Sequence, residues 1–159
     1  MTVAVVLLLF VVSAAVAATV VVRTQKRKFA EANVIVPGAT TKAPAEWAGA
    51  HTPEARLHRR LRDAVAAVRA NPAMEDAFRM DARVSLEQQA LAVDERLIAV
   101  AALPEGVRIE PLASVATAVD AVEAAVAALV SGPAAEASLD QAMTEVAARV
   151  AQLEQGGSI

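Results

Sequence analysis

Residues 111–130 read PLASVATAVDAVEAAVAALV. Leu112, Val115, Val119, Val122, Val126 and Leu129 recur there at alternating spacings of three and four. That spacing sets them on one stripe of a helix, the arrangement by which helices pack lengthwise against one another. Much of the remaining surface is alanine, at Ala121, Ala124, Ala125, Ala127 and Ala128, with charge confined to Asp120 and Glu123. Alanine is the best helix former and adds little bulk, so this side can admit a close-packed partner helix, from this chain or another. Pro111 suits the first position of a helix. Pro104 and Gly106 mark a loop over 103–110, and Ser131-Gly132-Pro133 ends the helix.

The same period extends in both directions. Leu139, Met143, Val146, Val150 and Leu153 form a stripe on a fourth helix that Gly156 and Gly157 end, leaving 156–159 as a frayed tail. Upstream, residues 72–103 carry two stripes. One is Leu86, Ala90, Val93, Leu97 and Val100; the other is Met80, Val84, Leu91 and Ile98, with Glu87 and Asp94 between them. A helix with two apolar faces must touch two neighbours, so this segment is expected to be the central, most buried helix. The stretch Met74–Arg83 fits neither stripe as well. Before it, Thr52 caps a helix that Pro53 and Glu54 open, and Leu57, Leu61, Ala64 and Val68 are its apolar stripe. Asn71-Pro72 interrupts that helix, because the residue before a proline avoids the helical region.

Residues 29–50 lack any helical period and contain Pro37-Gly38 and Pro44. They read as a linker in which Trp47, the only tryptophan, plugs the chain onto the helical domain, since a tryptophan buries so much apolar area. The N-terminus reads differently. Thr2 to Val22 is a run of 21 residues without a charge. As a helix at ~1.5 Å per residue it spans about 31 Å, matching a hydrocarbon core of roughly 30 Å. Arg23, Lys26, Arg27 and Lys28 follow at once. Positive residues stay on the cytoplasmic side, which orients the segment N-terminus out and the rest in. Ala15-Val16-Ala17 has the small-x-small form of a cleavage site, but the basic n-region of a signal peptide is missing and the apolar run is too long for one. Ala14 and Ala18 form a small-xxx-small pair whose simpler reading is a lipid-facing surface.

Together these features define an all-α chain with one N-terminal transmembrane helix followed by a small antiparallel helical bundle of three to four helices. The expected layout is an anchor over 1–22, a basic stop and linker over 23–50, a cytoplasmic bundle over 51–155 and the tail. A length of 159 residues fits this single domain.

Charge is unevenly placed. Residues 23–70 hold ten Lys/Arg against four Asp/Glu, and residues 71–159 hold five against fourteen. Arg23, Lys26, Arg27, Lys28, Arg56, Arg59 and Arg60 are therefore candidate contacts to anionic lipid, each basic residue contributing on the order of 1 kcal/mol near such a surface. The run Arg56–Arg62 also raises nucleic acid as a partner. The missing interleaved aromatics and the acidic remainder argue against it.

Recognisable chemistry is not evident. The chain has no cysteine, which excludes disulfides, thiolate metal sites and cysteine nucleophiles. No glycine cluster opens a helix to cradle phosphate. Glu54 and His58 are four apart on one helical face, but the Glu-x-x-His pairs of a di-iron bundle are missing. His58 reads as a solvated or flanking histidine. Glu75-Asp76 and Asp94-Glu95 are sequence neighbours that point to different sides of a helix, so neither makes a catalytic dyad. No metal, cofactor or catalytic residue is expected.

The order of features resembles single-pass membrane proteins of GC-rich actinobacteria. The residues that prompt this are Ala43-Pro44-Ala45-Glu46-Trp47 and the run from His51 to Arg62. The resemblance implies a bacterial plasma-membrane location and brings no activity or site residues. The function expected is a membrane-tethered helical interaction or scaffold module without catalysis, meeting the bilayer and a protein partner or a second copy. The alternatives are a small envelope-associated enzyme or ligand-binding bundle, with a polar pocket near Arg83, Glu87 and Asp94, and an element that senses anionic lipid through its basic first helix.

Overall fold

A computed structural model describes residues 33–71, 77–131 and 136–156. The expected anchor over 1–22, the cations Arg23, Lys26, Arg27 and Lys28, the pair Glu75-Asp76, Pro72 and the stop at Gly132-Pro133 lie outside the described residues. Among those described there is no strand. The elements are a 3-10 turn, η1 (Ala45–Ala48), and four helices: α1 (Pro53–Arg69), α2 (Ala77–Ala101), α3 (Glu105–Val130) and α4 (Glu136–Gln155).

Helix α1 begins as its sequence predicts. The Thr52 hydroxyl accepts from the Ala55 N–H at 3.3 Å, with Pro53 in the first turn. A cap of this kind stabilises a helix by about 1 kcal/mol. The predicted stripe of Leu57, Leu61, Ala64 and Val68 is buried, and Val65 joins it.

In α2 the two predicted stripes part company. Leu86, Ala90, Val93, Leu97 and Val100 are all buried, but Met80 and Val84 are 39% and 43% exposed. Leu91 and Ile98 are only partly covered. Helix α2 does pack against the other three helices, as two apolar faces require, but α3 packs against the same number more extensively, above all against α4, and holds the central position. Its alanines explain this. Ala118, Ala121 and Ala125 are buried beside Val115, Val119, Val122, Val126 and Leu129, so neighbours can close on α3 from more than one side. The apolarity that core packing demands also makes α3 long and apolar enough, by length and composition, to cross a membrane.

The start of α3 differs from expectation. Pro111 lies inside the helix, which begins at Glu105. The connection from α2 is thus only residues 102–104, and so short a turn makes α2 and α3 antiparallel neighbours. An interior proline leaves the carbonyl four residues before it, here Val107, without its donor. Arg108 secures the same turns from the side through other groups. Its guanidinium donates to the Leu103 carbonyl at 3.1 and 2.6 Å and to the Glu54 carboxylate at 2.9 Å.

Residues 33–50 are not a free linker. The compact unit that holds the helices begins at Asn33, and Ile35, Val36 and Trp47 are buried in the common core. Pro37 and Gly38 occupy the centre of a turn closed by the Ala39 N–H donating to the Val36 carbonyl at 2.9 Å. Gly38 has φ +89°, the conformation that the third residue of a type II turn requires and that glycine adopts without strain. Trp47 anchors this arm as its size predicts.

Candidate functional site

The buried polar groups gather where the arm meets α1 and α2. His58 lies on α1 one turn after Glu54 and one turn before Leu61, and it is fully buried. The solvated or flanking position predicted for it is therefore incorrect. The spacing held a signal: Glu54, His58, Leu61, Val65 and Val68 repeat at four and three, a second line overlapping the apolar stripe, and all are buried. Asp94 faces His58 from α2, where it follows Val93 and is only 3% exposed.

His58 Nδ1 lies 2.7 Å from Asp94 Oδ1, and Nε2 lies 3.0 Å from the Asn33 carbonyl oxygen. The Thr41 hydroxyl donates to Asp94 Oδ2 at 3.5 Å and accepts from the Ala43 N–H at 3.0 Å. The Asn33 amide donates to the Pro44 carbonyl at 2.8 Å. The Trp47 ring meets the imidazole edge-to-face, centroids 5.5 Å apart, a favoured geometry for aromatic pairs. Arg59 donates to the Trp47 and Ala50 carbonyls at 2.9 and 2.7 Å. Six side chains, His58, Asp94, Thr41, Asn33, Trp47 and Arg59, thus fasten residues 33–50, and of these only the anchoring role of Trp47 was legible in the sequence.

The imidazole is sealed from solvent and both its nitrogens face protein oxygens, so it offers no free edge to a substrate. Among the described residues no group of three His, Asp or Glu side chains is placed to hold a metal ion. Beside Asp94 an open groove of about 830 Å³ runs between Gly38–Lys42 and the exposed flank of α2 at Leu91, Glu95 and Ile98. The polar pocket expected near Arg83, Glu87 and Asp94 divides in two. Asp94 belongs to the histidine cluster. Glu87 is gripped by Arg69 at 2.8 and 3.0 Å, with Arg83 3.5 Å away.

The basic residues of α1 have separate fates. Arg56 is exposed. Arg59 binds the arm as described. Arg60 forms a two-pronged pair with Glu123 at 2.9 and 2.6 Å and reaches Asp120 at 2.6 Å. Hydrogen bonds donated to Glu123 and then to Asp120 hold the Arg60 guanidinium more firmly protonated than usual. At Glu54, burial pushes the carboxyl up, but hydrogen bonds from its own backbone N–H, Arg108 and Thr52 outweigh burial and hold it below its ordinary value.

Compared with known proteins, the chain matches no family model, and neither a curated protein nor a solved structure shows significant similarity to it.

Proposed function

We propose that this protein is a membrane-tethered helical interaction module without catalytic activity, its bundle presented to a protein partner on the cytoplasmic side of a bacterial plasma membrane. The observation that carries the reading is the uncharged run Thr2–Val22 followed by Arg23, Lys26, Arg27 and Lys28. An apolar stretch of that length ended by cations is the pattern of a single span with its following domain inside. The bundle adds support. Ile109, on the first turns of α3, is 76% exposed, a large apolar side chain open to a protein contact. Arg56 remains available to anionic lipid, whereas Arg59 and Arg60 are engaged within the bundle.

Photocrosslinking from position 109 in native membranes, followed by pull-down and mass spectrometry, tests the reading. One dominant crosslinked protein, or a second copy of the chain, is expected. A strictly monomeric, uncrosslinked chain rejects it. A phosphatase active only outside the cytoplasm, fused to the C-terminus, should be silent; activity there rejects the orientation.

The groove beside Asp94 favours a second reading, a bundle that binds a small ligand between residues 38–42 and α2. Equilibrium binding of a fragment set to the wild type and to Ile98→Trp, which narrows the groove, separates this reading from the first.

A further inference from the structure

We propose that His58 and Asp94 form a proton-dependent latch that fastens residues 33–50 to the helical bundle. The argument is a count of protons. A carbonyl oxygen only accepts hydrogen bonds, so His58 Nε2 must carry a hydrogen toward Asn33, 3.0 Å away. The contact between Nδ1 and Asp94, 2.7 Å long, needs a hydrogen of its own. It resides either on the imidazolium or on the carboxylic acid. In both cases the closed pair holds two protons. Turning the ring over places carbon atoms against both oxygens and loses both bonds.

With one proton fewer, a nitrogen lone pair of the fully buried ring would face either the Asp94 carboxylate or the Asn33 carbonyl. An unsatisfied buried group of this kind is strongly disfavoured. The released pair differs. In water, above the ordinary imidazole range near ~6.5, it holds one proton. Opening therefore releases a proton, and rising pH favours opening by about tenfold per pH unit wherever the two states differ by that one proton. Below that range both states hold two protons and opening does not depend on pH through this pair.

The surroundings favour the count. Asp94 faces the ring from α2, and the Asn33 carbonyl and Trp47 ring face it from the arm. Glu54, one turn earlier on α1, is occupied by Arg108 from α3. Glu95 and Lys42 line the open groove next to Asp94. Thr41 binds the other Asp94 oxygen, so the arm holds both partners of the latch.

The full-length chain carries its own reporter. Trp47 is its only tryptophan and it has no tyrosine, so indole emission reads the arm alone. From about pH 6 to pH 9, across the imidazole range, acrylamide quenching of Trp47 should increase and its emission shift to the red, while far-UV helicity stays constant. Asp94→Asn is the decisive variant. Its amide N–H can donate to Nδ1 of a neutral imidazole while Nε2–H still serves Asn33, so one ring proton suffices and the response should be flat. A flat wild-type response, or an unchanged response in Asp94→Asn, overturns the latch. Hydrogen exchange in the wild type needs no variant. Corrected protection of residues 33–50 should fall about tenfold per pH unit while that of α3 holds. Protection that falls equally in both, or in neither, also overturns it.

Discussion

Arg108 on α3 joins the Glu54 carboxylate on α1 at 2.9 Å while its other nitrogens donate to the Leu103 carbonyl in the connection after α2. One side chain thus ties α1, α3 and the α2–α3 connection together where α3 begins.

A pH dependence follows from Glu54. Its carboxyl is held below the ordinary value of 4.5 because its hydrogen bonds outweigh burial. A depressed carboxylate contributes stability that is present above the unfolded value and is lost as pH falls through the folded one. Urea unfolding should therefore show stability falling as pH drops below about 4.5, in line with ordinary carboxyl titration. Glu54→Gln should flatten that part of the curve and leave the slope above it unchanged.

The two stripes of α2 differ in energy as they differ in burial. Leu97 is completely buried and Met80 is 39% exposed. Leu97→Ala should cost about 2–5 kcal/mol by chemical denaturation. Met80→Ala should stay within about 0.5 kcal/mol. Equal costs would restore a second buried face to this helix.

Pro111 offers a stabilising change. It lies within α3, and an interior proline costs on the order of 3 kcal/mol. Pro111→Ala returns an N–H to the Val107 carbonyl, so the melting temperature should rise, by the equivalent of about 1–3 kcal/mol.

Ile109 separates stability from recognition. It is the most exposed of the large apolar residues among those described, at 76%. Ile109→Glu should change unfolding free energy by no more than about 0.5 kcal/mol. It should also abolish the partner crosslink if the first turns of α3 are the contact.

Sequence by itself determined the helices. A stripe such as Val115, Val119, Val122, Val126 and Leu129 is a local consequence of helical period, and so is the Thr52-Pro53 start of α1. Both are visible because neighbours along the chain create them. Four outcomes belonged to tertiary structure alone. Helix α3 begins at Glu105, ahead of Pro111, and its first turn is tied by Arg108 to Glu54, 54 positions away. Met80 and Val84 stay exposed because α3, with its small buried alanines, took the centre. Residues 33–50 carry no period, so the burial of Ile35 and Val36 beside Trp47 could be read only from the surface they meet. His58 and Asp94, 36 positions apart, became a sealed pair for the same reason. A polar residue on an apolar line is ambiguous until its partner is known, and the partner came from another helix.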